Sequence, residues 1–131
     1  MELYPYGLFT ELTSEQTYNM KDEELRKFTR LKRLELQHNS SITDYGIRDL
    51  TNLTYLDLSL QRSITINGLK NLTNLTTINL VANGNDSFTL EALDTLPNLA
   101  RVYLEPGQRL FKHARNTHQL NSHKYELCIG M

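Results

Sequence analysis

The sequence predicts an α/β fold of one kind: a short solenoid. Its turns lay a curved parallel β-sheet on the concave side and short helices or irregular turns on the convex side. Three observations predict it. Leucine supplies 24 of the 131 residues and asparagine 12, yet the formal net charge is −1 and only 39% of residues are hydrophobic, so the leucines are spaced through a polar chain. An apolar triplet recurs with a period of about 22 residues, and a second triplet recurs in step with it. A fixed period of this length marks supersecondary units that cannot bury their apolar face alone and must stack.

The first triplet runs Leu31-x-x-Leu34-x-Leu36-x-x-Asn39, then Leu53, Leu56, Leu58 and Gln61, then Leu75, Ile78, Leu80 and Asn83, and finally Leu99, Val102 and Leu104. Its first leucines are 22, 22 and 24 residues apart. The other half of each turn carries Ile42, Ile47 and Leu50, then Ile64, Leu69 and Leu72, then Phe88, Leu93 and Leu96. The longer third turn gains its residues in Asn83-Gly84-Asn85-Asp86-Ser87, a polar turn-forming stretch where insertion costs little.

Each element follows from side-chain direction. In Leu34-Glu35-Leu36 the two leucines share one strand face and Glu35 takes the other. Strands stacked about 4.8 Å apart then build one continuous leucine core. The Asn closing each strand can satisfy backbone groups of the turn with its amide. Gln61 interrupts this ladder and is expected to weaken its middle rung.

The register extends outward on both sides. A step of 22 residues back from Leu31 reaches Phe9, with Leu12, Ser14, Thr17, Met20, Leu25 and Phe28 in matching places. Ser14 replaces a leucine, so this reads as a degenerate turn serving as a cap. Forward, Val102 plus 23 gives Tyr125 and Leu104 plus 23 gives Leu127, within a period-two pattern that predicts a sixth strand. Pro106-Gly107 breaks the chain before it, and Arg109 to Gln119 lacks helix breakers, which predicts a helix. The expectation is one domain over 1–131, with an N-terminal cap at 1–30, core repeats at 31–105 and a C-terminal cap at 106–131.

Over positions 9 to 104 these residues resemble the leucine-rich-repeat family. The phrases Ile42-Thr43-Asp44-Tyr45-Gly46-Ile47 and Ile64-Thr65-Ile66-Asn67-Gly68-Leu69 resemble the "ITDxGL" stretch of the cysteine-containing subtype, typical of the substrate-reading part of F-box proteins. That subtype's cysteine is Asn39, Gln61 and Asn83 here. Leu-Thr-Asn-Leu-Thr at 50–54 and 72–76 is instead similar to the 22-residue repeats of bacterial surface or giant-virus proteins.

Composition narrows function. With 14 Lys and Arg against 15 Asp and Glu, no global field draws nucleic acid or an anionic membrane. The lone Cys128 excludes an internal disulfide framework. Met1-Glu2-Leu3-Tyr4-Pro5 lacks the basic and apolar regions of a signal peptide, and no apolar run is long enough to span a bilayer; both predict a cytoplasmic protein. No catalytic residues and no cofactor are expected: Cys128 has no flanking nucleophile motif, Asp22-Glu23-Glu24 read as a solvated charge run, and the six glycines form no phosphate loop. Five N-x-[ST] sequons, at Asn39, Asn52, Asn71, Asn74 and Asn85, read as by-products of the repeat.

Three columns should face the concave side. They are Glu11, Arg33, Tyr55, Thr77, Arg101 and Lys124; Thr13, Glu35, Asp57, Asn79, Tyr103 and Glu126; and Glu15, Gln37, Ser59, Val81, Glu105 and Cys128. An open concave sheet is the usual recognition surface of solenoids, and Tyr and Arg are over-represented among binding hot spots. The predicted contacts to a protein partner are therefore Arg33, Glu35, Gln37, Tyr55, Asp57, Ser59, Thr77, Asn79, Arg101, Tyr103 and Glu105, on a monomeric chain. Two alternatives accompany this. Arg109, Lys112, Arg115 and Lys124 with three histidines could contact nucleic acid or an anion, or the chain could be a substrate-recognition adaptor of a ubiquitin-ligase-type complex. His113, His118, His123 and Cys128 fall five apart, a spacing that neither helix nor strand converges into a tetrahedral zinc site.

Overall fold

The computed structural model describes residues 5–108 and 125–129. Six strands, β1 (Glu11–Leu12), β2 (Arg33–Glu35), β3 (Tyr55–Asp57), β4 (Thr77–Asn79), β5 (Arg101–Leu104) and β6 (Glu126–Ile129), form one parallel sheet in chain order. The return segments hold one-turn helices: α1 (Ser14–Thr17), α2 (Asp22–Leu25), α3 (Asp44–Ile47) and α4 (Leu90–Asp94), with 3-10 turns at Tyr6–Leu8 and Ile66–Leu69. The predicted register holds through β5, with Glu11 opposite Arg33, Leu34 opposite Leu56, Leu56 opposite Ile78 and Ile78 opposite Val102. Leu34, Leu56, Ile78 and Val102 make one inward row and Leu36, Leu58, Leu80 and Leu104 the next, none more than 2% exposed. Full burial of each such side chain contributes about 1.5–3 kcal/mol, and none of it is available to a turn without its neighbours.

The sixth strand corrects the sequence register. Val102 lies opposite Leu127 and Leu104 opposite Ile129, a step of 25 residues in place of 23. Tyr125 enters the core ahead of the strand, 4% exposed, and its hydroxyl donates to the Leu90 carbonyl at 3.0 Å. A slip of two residues leaves every side chain on its own face, so alternation along 124–129 could not distinguish the two registers. Glu126 therefore stands beside Arg101 and Cys128 beside Tyr103, where Lys124 and Glu126 had been expected.

Four rows of hydrogen bonds tie each turn to the one before. In the first, the buried Asn39 amide donates to the carbonyls of Thr17 (2.7 Å) and Met20 (3.2 Å) while its oxygen accepts from the Ser41 and Ile42 N–H groups (2.8 and 2.7 Å). Asn83 donates to the carbonyls of Leu58 and Gln61. Gln61 does not break the row: its longer side chain reaches the Ile42 carbonyl at 3.1 Å and accepts from Ser63 and Ile64 N–H. In the second row Asn52, Asn74 and Asn98 donate to the carbonyls of Thr29, Thr51 and Thr73. In the third the hydroxyls of Thr54 and Thr76 donate to the carbonyls of Lys32 and Thr54, each at 3.1 Å. The last two explain the Thr-Asn-Leu-Thr junctions.

The fourth row explains the Ile-Thr-Asp phrase. Asp22 accepts from the N–H and hydroxyl of Thr43, and Asp44 does the same from Thr65, its N–H bond being 2.7 Å. The carboxylate lies where a Cβ on the next turn's glycine would stand: 2.3 Å from Gly46 for Asp22, 2.6 Å from Gly68 for Asp44. Glycine is needed there for space.

His38, Leu60 and Ala82 share one place in successive turns and each adopts a left-handed backbone, with φ of 66°, 57° and 56°. Residues with a Cβ pay about 1–2 kcal/mol in this region. His38 is exposed, so its side chain can be changed without touching the core. His38→Gly is expected to exceed His38→Val in stability by more than about 1 kcal/mol, read from urea midpoints. Equal midpoints would show that the turn relaxes out of this conformation at no cost.

Candidate functional site: the outward face of the sheet

The outward columns are placed by strand pairing. Because Arg33 is paired with Tyr55, the Arg33 guanidinium lies over the Tyr55 ring at 3.7 Å. The same guanidinium is 3.5 Å from the Glu35 carboxylate, whose other oxygen accepts from the Ser14 N–H at 3.1 Å. Burial pushes the Tyr55 hydroxyl's pKa above its ordinary value, with Asp57 adding to the effect; Arg33 and a hydrogen bond with Asn79 oppose it. A cation stacked on a partly desolvated ring is a preformed feature, held before any partner arrives.

The second column also closes its own turns. Asp57, 8% exposed, accepts from the Ser59 N–H at 2.9 Å and the Ser59 hydroxyl at 2.6 Å with the same oxygen, and Ser59 is 5% exposed. One turn later Asn79 accepts from the Val81 N–H at 2.9 Å. These are turns closed by an Asp or Asn side chain two residues upstream. Thr77 and Gln37 are half-buried. Arg101 is exposed, with its guanidinium 3.9 Å from Glu126. Tyr103 is 37% exposed, and Glu105 projects beyond β5.

The face thus joins Arg33, Glu35, Tyr55, Asp57, Ser59 and Asn79 in one network at β2–β4. Thr77, Arg101, Tyr103 and Glu105 form a more open region at β4–β6.

Sequence reasoning missed Gln108. Its amide donates to the Leu80 carbonyl at 2.6 Å while its oxygen accepts from Ala82 N–H (3.1 Å) and Glu105 N–H (3.0 Å). It continues the Asn39–Gln61–Asn83 row, displaced one place by Pro106-Gly107, and the signal lay in asking which polar side chain closes the fifth turn. Asp22 was also misread as part of a solvated run, since its carboxylate holds Thr43.

Arg109, Lys112, Arg115, Lys124 and the three C-terminal histidines lie outside the described residues. Among the described residues no group of three or more His, Cys, Asp or Glu side chains is placed to hold a metal ion. The Cys128 thiol is pushed above its ordinary pKa by burial and then by Glu126, against Arg101, the opposite of an activated nucleophile. No helix among the described residues is long and apolar enough to cross a membrane.

No family model and no curated protein sequence matches the chain. Solved structures do. Internalin C2 from Listeria monocytogenes superposes with a TM-score of 0.64 at 26% identity, over 92% of this chain and 50% of that one. An internalin (inlF) from the same bacterium gives 0.58 at 27% identity, over 79% of this chain and 29% of its own. This chain therefore spans half the length of the first and under a third of the second. Internalins are leucine-rich-repeat proteins, and this chain is a leucine-rich-repeat solenoid like them. The F-box-type feature rests on the phrases at 42–47 and 64–69 alone, and their shared Thr and Gly have a structural cause in the Asp–Thr–Gly row.

Proposed function

We propose that this is a non-catalytic protein–protein interaction module that binds its partner through the outward face of the sheet. The observation that carries the reading is the pair of tyrosines on a rigid parallel sheet: Tyr55 pinned under Arg33 at 3.7 Å, and Tyr103 exposed two strands away. A large ring held in place by its neighbour, as Tyr55 is, loses little freedom on binding, which is the property of an interface anchor. The likeness to internalins supports an interaction role in general. Arg33, Tyr55, Thr77, Arg101, Tyr103 and Glu105 then make contact, while the buried Asp57 and Ser59 shape the turn beneath.

A photo-crosslinker at position 105 tests it, with one at Glu23 on α2 as the control. Position 105 is expected to capture a defined protein from the native host, and Tyr55→Ala with Tyr103→Ala to reduce that capture at least tenfold. Equal capture from both positions, or no effect of the double substitution, overturns the reading.

A further inference from the structure

The two edges of the sheet are unlike. β1 is two residues long, and an edge that short offers little to another chain. β6 is four residues long and last in the sheet order, with no strand of the described residues beyond it. It carries no proline, lysine or arginine, the residues that usually guard an edge. The apolar rows also end open here. Val102 and Leu104 are at most 2% exposed, whereas Ile129, next in the Leu104 row, is 55% exposed and Leu127 is only partly buried.

The bonds on the inner side of β6 set the direction of its free backbone groups. The Glu126 N–H donates to the Ala100 carbonyl, on the turn before, at 2.7 Å. Successive residues of a strand turn their N–H and C=O groups to opposite edges. Those of Cys128 therefore face β5, and those of Leu127 and Ile129 face the free edge. Earlier turns run in the same sense: Leu36, Leu58 and Leu80 donate forward, to the carbonyls of Asp57, Asn79 and Tyr103.

We propose that β6 pairs antiparallel with β6 of a second copy, making a two-fold dimer in place of the monomer expected from the sequence. Three conditions leave one register. Opposed residues must point to the same face. Identical strands about a two-fold must oppose each other reciprocally. The outward groups of both Leu127 and Ile129 must find partners. Together these set Leu127 opposite Ile129 of the second copy, the two exchanging both their bonds, and Cys128 opposite Cys128.

The strand is self-complementary in this register. Leucine meets isoleucine on the core side, so the open ends of two leucine cores abut. The two Glu126 residues fall on opposite sides of the axis, about 14 Å apart along the strands and beyond the screening length at physiological salt. The two Cys128 residues lie on the axis as a pair without hydrogen bonds. Their Cα atoms are then about 4.5 Å apart, within the span of a disulfide.

Sedimentation equilibrium of the 131-residue chain under reducing conditions is expected to show a reversible monomer–dimer equilibrium. Ile129→Pro removes an N–H that faces the free edge, and is expected to weaken the dimer at least tenfold. Ile129→Lys, which places a charge on the same edge, is expected to match it. Tyr18→Lys, an exposed change in the first turn, should leave the equilibrium unchanged. Oxidised glutathione then reads the register. One Cys128 thiolate attacks it and releases a glutathione thiolate. Cys128 of the second copy then displaces the other glutathione from the mixed disulfide, leaving a Cys128–Cys128 bond. A covalent dimer is expected from the unaltered chain and far less of it from either Ile129 variant. If circular dichroism shows the proline variant misfolded, the lysine variant decides. A chain that stays monomeric into the millimolar range overturns the inference. So does a dimer indifferent to the Ile129 changes, one equally weakened by Tyr18→Lys, or one that yields no disulfide.

Discussion

Asn39→Leu is expected to lose about 3–5 kcal/mol of stability, enough to leave a domain of ordinary margin partly unfolded at physiological temperature. Leucine keeps the branching and the number of side-chain heavy atoms, so the loss is chiefly one of hydrogen bonding. The Met20 carbonyl on the preceding turn and two N–H groups of its own turn, Ser41 and Ile42, lose their partner together, and the Thr17 carbonyl keeps only the Met20 N–H. Asn39 is 1% exposed, so water cannot replace those bonds without opening the stack. A buried polar group left unmatched costs about 1–3 kcal/mol. Asn52→Ala is the internal control: it removes one exposed bond of 3.3 Å and should lose under about 1 kcal/mol. Urea unfolding of both, at unchanged m, measures the difference. A leucine variant no weaker than the Asn52 variant would show that the row is decoration on a leucine core.

Gly68→Ala is expected to lose about 2–3 kcal/mol. Its Cβ would lie 2.6 Å from an Asp44 carboxylate oxygen and 3.1 Å from the Asp44 Cα, so neither turn can admit it without shifting. Asp44→Ala alone forfeits the two bonds to Thr65, at about 1–2 kcal/mol. With both changes the carboxylate is gone, so the double variant should lose at least about 1 kcal/mol less than the sum of the two. Simple additivity in that cycle would mean the glycine is required by the backbone and not by its neighbour. Thermal or urea midpoints of the four proteins decide it.

Much of this was legible in the chain because the repeat is a matter of counting. Leu31, Leu53, Leu75 and Leu99 fix four turns, and Phe9 and Leu12 fix a fifth by extrapolation. Three things were not legible, each for a physical reason. The register of β6 depends on where Tyr125 enters the core, and a two-residue slip leaves the alternation unchanged. Gln61 looked like a defect because type was read without reach: one extra methylene carries its amide to the Ile42 carbonyl. Alternation assigned Asp57 and Ser59 to the outward face but says nothing of depth, and their mutual bonds draw both below the surface that Tyr55 and Tyr103 define.

The rows that bind turn to turn bear on how such a chain can grow. Most of their cross-turn rungs join a donor and an acceptor 21 to 23 residues apart, as Asn39 to Thr17, Asn74 to Thr51, Thr76 to Thr54 and Thr65 to Asp44 show. A duplicated repeat thus arrives with its own donors and finds acceptors already waiting on the turn it lands against. Lengthening the array asks for no new chemistry. The third turn, two residues longer, shows how much slack this leaves: the surplus is spent in the Gly84–Ser87 stretch while Asn83 and Asn98 still reach the turn before.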